Sequence, residues 1–388
     1  MRRRVADLAC RLLLAILPRH LKEWGVAIRY ETESIASDDR ALLFAIGSLL
    51  AMAPRAIVAR AGQALAAPFS VIRGPTEGSV VAQSARALGE RPRVLGTMCG
   101  IGAVSCGAAY MAMANAPASY VAINFAALAL GLAILWAIGR VAAGGFDWTG
   151  AVMPLSAIAL LATALLGAEA DGAARWVDIA GFAIQPSLVL LPVALIAFAV
   201  RRDALALGSI LVALAAVAIQ PDRAMAGMGA AALTTLALMH RERKVIAAAA
   251  AAIAGFLIAM AQPDTLPASA FVDQILYSSF EVETAAGIAV LCGSVLLVVP
   301  AIGGWIIDRA NRPIYAMFGA VWLSVVVAAA LGNYPTPLVG YGGSAIIGYA
   351  LSLLALPRSA TRTVAAKPAT GEPIRHGKSD RRLMVGLT

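Results

Sequence analysis

From residue 95 onward the charged side chains are gathered into clusters, and between them lie about ten apolar stretches free of Asp, Glu, Lys and Arg. They cover 95–115, 120–139, 150–167, 182–200, 204–219, 224–239, 245–261, 285–307, 315–331 and 338–356, most of them near the roughly 20 residues a helix needs to cross a bilayer. In hydrocarbon every backbone N–H and C=O must find its partner inside the protein, which restricts spanning structures to helices and closed barrels. Stretches this long, with no alternation of polar and apolar residues, read as helices. The sequence therefore predicts an all-α, polytopic membrane protein with about ten transmembrane helices. Composition agrees: 60% of residues are hydrophobic and 14% charged, with a mean hydropathy of +0.80. A soluble domain carries about 25% charged residues, so that class is excluded. Only residues 220–223 separate two of the stretches, which requires a tight hairpin there.

The distribution of Lys and Arg predicts orientation. One set of loops holds Arg140, Arg201, Arg202, Arg241, Arg243, Lys244, Arg309 and Arg312, whereas the alternate loops hold Arg175 and Arg223. The basic set belongs in the cytoplasm, and both termini with it, because Arg91 and Arg93 precede the first span and a basic tail follows the last. The net charge of +9 is thus mainly a topology signal. Its residues form no stripe interleaved with aromatics, so nucleic acid is not an expected partner.

Three regions follow. Residues 1–90 read as a cytoplasmic, membrane-apposed helical appendage, 91–357 as the transmembrane domain, and 358–388 as a disordered basic cytoplasmic tail. In the appendage Val5, Leu8, Ala9, Leu12, Leu13, Ile16 and Leu17 recur at helical spacing beside Arg2, Arg3, Arg4 and Arg11, the pattern of an amphipathic helix on an anionic leaflet. Arg11 interrupts the apolar run and no small-residue cleavage site follows, unlike a signal peptide. A second helix is expected from Ser37 as N-cap, with Asp38 and Asp39 in its first turn. Cys10, Cys99, Cys106 and Cys292 show no disulfide or metal spacing, and His20, His240 and His376 no ligand pattern, so no metal residues are assigned.

The loops poor in Lys and Arg hold the carboxylates Glu169, Asp171, Asp178, Asp222, Asp264, Asp273, Glu281 and Glu283. Acids at a membrane boundary are costly enough to point to function. In the longest such loop, 262–284, Asp273 is set among Phe271, Val272, Ile275 and Leu276, a half-buried setting that raises a carboxylate pKa and suits a general base. A helix over 271–281 would put Asp273 and Tyr277 on one face with Glu281 two turns on. Further along, 335–345 reads PTPLVGYGGSA. Its paired glycines allow positive φ or close packing, which suggests a shaped turn at the membrane boundary.

Taken in order, GAARWVDIAGFAIQPSLVLL (172–191), QPDR (220–223), LPASAFVDQILYSSFE (266–281) and PTPLVGYGGSA form a series. The series resembles the SEDS family of FtsW, RodA and SpoVE, the multi-span glycosyltransferases of peptidoglycan biosynthesis in cell division and cell-shape maintenance. There a GARRW segment, QPSE, QPDLG, a loop of the form LPEAHTDFIFAIIGEE and PLPFISYGGSS occur in the same order. The resemblance covers about 95–357 and implies a bacterial inner-membrane protein. Asp273 falls on the family's loop aspartate, six residues after Pro267 rather than one fewer, and Glu281 keeps its spacing of eight. Arg175 and Trp176 match the end of GARRW; Gln185, Pro186 and Ser187 match QPS; Gln220, Pro221 and Asp222 match QPD; Tyr341, Gly342, Gly343 and Ser344 match YGGS.

The chain also departs from the pattern. Leu188 stands for the glutamate of QPSE, Arg223 for a leucine, and Phe271 and Val272 for His and Thr. Asp222 and Asp273 are only 51 positions apart, a shortened interval. The resemblance implies that Asp273 takes the proton from the C4 hydroxyl of lipid II, which attacks a polyprenyl-linked glycan and expels undecaprenyl pyrophosphate. Arg175, Arg223 or a divalent cation would balance the leaving charge, with Trp176, Gln185, Asp222, Tyr277, Glu281 and the 341–344 turn shaping the substrate site. The cofactor is otherwise open. The implied partner is a transpeptidase-type penicillin-binding protein. Two alternatives stand beside this reading: a SEDS-like scaffold without catalysis, and a secondary transporter, since GWIIDRANRP (304–313) is similar to the cytoplasmic G-x-x-x-D-R-x-G-R-R loop of major facilitator carriers.

Overall fold

The computed structural model describes residues 90–170, 173–179, 181–263 and 267–359, together with 3, 6, 7, 10, 13, 14, 17, 22–35, 37–45, 47 and 48. In chain order the elements are α1 (Lys22–Ser34), α2 (Pro92–Met113), α3 (Ala118–Ala143), α4 (Trp148–Leu166), strands β1 (Ala168–Ala170), β2 (Ala173–Ile179) and β3 (Phe182–Ile184), then α5 (Pro186–Val200), α6 (Ala204–Ile219), α7 (Arg223–Met239), α8 (Arg243–Ala261), α9 (Ile275–Val282), α10 (Thr284–Leu296), α11 (Val299–Ile307), α12 (Arg312–Leu331) and α13 (Gly343–Ser352), which ends in a 3-10 turn, Leu353–Ala355. Each of the ten apolar stretches is matched by helix. Among the described residues six spans are long and apolar enough to cross a bilayer, and α5, α6, α7 and α13 with its 3-10 turn are shorter apolar helices. The protein is a polytopic helical membrane protein.

Two spans differ from a plain helix. The stretch from 285 is broken between α10 and α11 at Leu297 and Val298, whose amides reach back only three residues, to Ser294 and Val295. Pro300, which has no N–H to give to a carbonyl four residues earlier, follows at once. The stretch expected from 182 begins instead as strand. β1, β2 and β3 form a small antiparallel sheet, with Val177 opposite Ile184 and Ile179 opposite Phe182. Gly181, at φ +83°, closes the β2–β3 turn, and Asp178 Oδ1 accepts its amide at 2.9 Å.

The spans sort by how much surface they bury. α5 is apolar all round and sits in the centre, with Leu191, Leu195 and Phe198 fully enclosed. α4 is one-sided: Met153, Ala157 and Leu160 are inside while Leu155, Ile158 and Leu165 face outward, as a lipid-facing helix requires. Where lipid offers as apolar a surface as a neighbouring helix, close backbone approach gives helices a reason to associate. Gly348 of α13 lies against the backbone of Leu188 in α5, and Gly131 of α3 against Ala350 and Ile347 of α13. Beside these contacts Trp322 and Phe318 of α12 pack edge-on to Tyr349, with centroids 5.1 and 5.7 Å away, and Trp322 Nε1 donates to Ser352 Oγ at 3.2 Å.

Hydrogen bonds identify the two ends of the bundle. At the basic end Arg93 donates to the Leu356 carbonyl, Arg201 joins Asp147 and Asp203, and Arg202 pairs with Glu242. The loop end gathers the sheet, the 220–222 turn, 267–283 and 332–342. The carrier-like 304–313 segment lies at the basic end. There Asp308 is fully buried and accepts from Asn311 Nδ2 at 2.8 Å and Tyr315 Oη at 3.2 Å, stapling α11 to α12. Asp308→Ala strips those donors of a buried charged acceptor, so it is expected to cost about 1–3 kcal/mol, read as a lower thermal unfolding temperature in detergent.

In the N-terminal region Leu13 and Leu17 are buried together with Ala6 and Cys10, and Ala6 and Cys10 pack with Leu42 and Ala45. This side of the expected amphipathic helix faces protein. The amide of Ala41 bonds the Ser37 carbonyl at 2.9 Å, opening the second helix where its N-cap was expected. Val5, Leu8, Ala9, Leu12, Ile16 and the tail from 360 lie outside the described residues, as do Asp171 and Asp264.

Candidate functional site

The motif residues assemble into two groups at the loop end. The first is a buried polar knot. Arg175 leaves β2 and donates through Nε to the Gln220 carbonyl at 3.3 Å and through Nη2 to that of Pro221. Gln220 Nε2 reaches the Leu160 carbonyl at 3.0 Å. Asp222 caps α7 through Oδ1, accepting the Met225 amide, while Oδ2 accepts from Gln185 Nε2 at 2.9 Å and Ser187 Oγ at 3.1 Å. The Gln185 amide in turn donates to Ser344 Oγ at 3.0 Å. Five positions far apart in sequence are thereby joined where α4, α5, α7 and α13 meet. A buried carboxylate is tolerated because hydrogen-bond donors replace its water.

Arg223 lies outside the knot. It donates to the Ala259 carbonyl, which also accepts the Gln262 amide at the end of α8, and to the Gln262 carbonyl just beyond it. Trp176 is half-buried on β2, opposite Ala168.

The second group surrounds Asp273. Residues 268–274 are not helical. α9 starts at Ile275, and Asp273 pairs with Pro335 in an antiparallel bridge. The expected helix over 271–281 is corrected accordingly. Phe271 and Gln274 flank Asp273 at φ +62° and +59°, left-handed conformations that side chains other than glycine rarely adopt. Tertiary bonds hold them there. The Thr336 amide donates to the Val272 carbonyl at 3.0 Å and the Tyr341 amide to that of Phe271 at 2.7 Å. The Phe271 ring packs between Tyr110 and Tyr120, 6.5 and 6.0 Å away, and Tyr120 stacks on Tyr341 at 3.9 Å.

Asp273 and Glu281 line one cavity of about 500 Å³, with Tyr110, Ser269, Phe271, Gln274 and Ser278 among its other walls. Tyr277 turns away and donates to the Ala330 carbonyl at 2.8 Å. Glycines 342 and 343 take no left-handed φ; Gly343 instead allows close approach, since a Cβ there would stand 3.1 Å from Ala127. Among the described residues no three His, Cys, Asp or Glu side chains converge as metal ligands. Asp273 and Glu281 are the two acids lining this cavity.

Burial pushes the Asp273 carboxyl above the usual carboxylate range, against the opposing pull of the Ser269 amide, which donates to Oδ2 at 2.8 Å. A carboxyl shifted upward in the folded state favours the fold while it is protonated. That contribution is complete below its unfolded value of about 3.9 and is lost as pH rises through the folded value. Asp273→Asn is therefore expected to raise the unfolding temperature at pH 7 and to leave it unchanged at pH 3. Equal shifts at both pH values would contradict a strained, desolvated carboxylate.

Fold and site together define a polytopic helical membrane protein with a desolvated acid in a cavity at one end of its bundle. The chain matches no protein-family profile and no curated protein. Among solved structures it is similar to the crystal structure of the rod shape determining protein RodA of Thermus thermophilus, at 17% identity and a TM-score of 0.48, over 66% of this chain and 92% of that one. The aspartate-to-alanine mutant of the same protein gives 16% identity and a TM-score of 0.47, over 66% and 93%.

The sequence singled out neither Asn124 nor Tyr120, which clasp the 340–342 turn, nor Ser269, which holds Asp273. Asn124 carried a readable signal, as an amide within an apolar span.

Proposed function

We propose that this chain polymerises lipid II as a SEDS-type peptidoglycan glycosyltransferase of the bacterial inner membrane, with Asp273 as the general base. One observation carries the reading: a half-buried carboxylate with a raised pKa lines a cavity, in a loop hydrogen-bonded to the YGGS turn. The loop end faces outward because Lys and Arg concentrate at the other, which puts both termini in the cytoplasm. Asp273 takes the proton from the acceptor's C4 hydroxyl as that oxygen attacks the anomeric carbon of the lipid-linked donor. The bond to undecaprenyl pyrophosphate breaks with inversion. Pyrophosphate is a good leaving group, so no general acid is needed. The knot supports the site from behind, since Ser344 ties it to the turn that carries the Asp273 loop.

A second reading, a scaffold without catalysis, is favoured by Leu188, which stands buried where the family has a glutamate, and by Arg175 and Arg223, whose guanidinium groups donate to backbone carbonyls. Polymer formation from lipid II in liposomes, with the partner transpeptidase-type penicillin-binding protein, decides between them. No polymer from the wild type favours the scaffold. As much polymer from Asp273→Asn as from the wild type removes Asp273 as the base.

A further inference from the structure

We propose that Asn124 is a positioning residue: from α3 it sets where Asp273 stands, acting through the 335–342 turn. The inference rests on the general-base reading of Asp273. The argument begins with the face α3 turns inward. Tyr120, Asn124, Ala127 and Gly131 follow one another at intervals of four, three and four residues, which places them in one stripe. The lower part of the stripe is small, and there α13 comes close, with Gly343 against Ala127 and Ala350 against Gly131. The upper part is polar and aromatic, and there the chain entering α13 is not yet helical.

Non-helical backbone at membrane depth has carbonyls and amides to satisfy. Asn124, 1% exposed, meets two of them: Nδ2 donates to the Gly340 carbonyl at 2.8 Å, and Oδ1 accepts the Gly342 amide at 3.2 Å. The two bonds grip the turn on either side of Tyr341, whose ring lies flat on Tyr120 one helical turn away. Tyr341 is left with its amide pointing at the Phe271 carbonyl. Together with the Thr336 bond and the Asp273–Pro335 bridge, that amide fixes the loop bearing the base. Asn124 thus governs the Asp273 loop through the turn.

If Asn124 merely satisfied two backbone groups, its loss would loosen 340–342 and stop there. A positioning role predicts a remote effect. In the full-length protein in detergent, Asn124→Ala is expected to speed amide exchange over 268–274 by about tenfold or more, with exchange in α5 to α7 unchanged. In the polymerisation assay kcat is expected to fall by roughly 10- to 100-fold, the scale of an ångström-sized misplacement, with KM little changed. The acid limb of the pH–rate profile should move down, as water reaches the freed carboxylate.

Asn124→Asp is the rescue: a carboxyl buried there stays protonated, so one oxygen can still donate to Gly340 while the other accepts from Gly342. It is expected to restore both slow exchange and kcat. Unchanged exchange over 268–274 in Asn124→Ala would overturn the proposal, as would an unchanged kcat beside an active wild type. A wild type that makes no polymer removes the general-base reading instead, and the exchange measurement then still decides whether Asn124 holds the loop.

Discussion

On the general-base reading, Asp273→Asn is expected to fold and insert but to lose nearly all glycan synthesis. The asparagine keeps the size of the side chain and an oxygen for the Ser269 amide, so the bridge to Pro335 and the cavity survive. What it lacks is basicity. Loss of a positioned base typically costs 10²–10⁴ in rate, so polymer from lipid II is expected to fall by about that factor. The unfolding temperature at pH 7 should rise at the same time, because a desolvated charge has been removed. A variant that is both inactive and unstable would point to a broken loop and say nothing of catalysis. Glu281→Gln is a useful comparison: Glu281 shares the cavity but is exposed, so its loss should slow the reaction far less.

The largest structural effect is expected at Gly348. A Cβ at that position would lie 2.0 Å from the Leu188 carbonyl oxygen and 3.1 Å from Val189 Cα, both in the central helix α5. Backbone cannot swing aside as a side-chain tip can. Gly348→Val must push α13 away from α5, at a cost of about 3 kcal/mol, the upper part of the usual overpacking range. The displaced helix also carries Ser344, whose bond to the Gln185 amide reaches the polar knot. A large drop in thermal stability is therefore expected together with lost activity. A variant as stable as the wild type would mean that α13 is free to move.

The spans were legible because lipid imposes one rule along the chain: a charge ends a stretch. That rule located α6 and α7 on either side of a short turn, although each is short for a crossing. It could not show β1 to β3, since β1 and β3 are only three residues long and leave no periodicity to read, and a run of apolar residues at 182–184 looks like the start of the next helix. The loop around Asp273 shows a different limit. Residues 271–281 have a helical pattern, yet Phe271 and Gln274 are left-handed and the segment is tied to remote residues, the Phe271 and Val272 carbonyls to the Tyr341 and Thr336 amides and Gln274 Nε2 to Asn333 Oδ1. Sequence pattern carries local preference, and here a tertiary contact overrides it. The half-buried character of Asp273 was readable from its apolar neighbours; the aromatic cluster and Asn124, which hold the surrounding loop, come from other helices.

Pro335 follows Asp273 by 62 positions, and the turn it opens is gripped by a helix near residue 124. A ribosome making this chain releases the acid well before the segment that seats it. Until α13 is threaded into the bilayer, the Asp273 loop lacks the turn that holds it, and the carboxylate has no fixed address. Completion of membrane insertion is then the event that gives the acid its place.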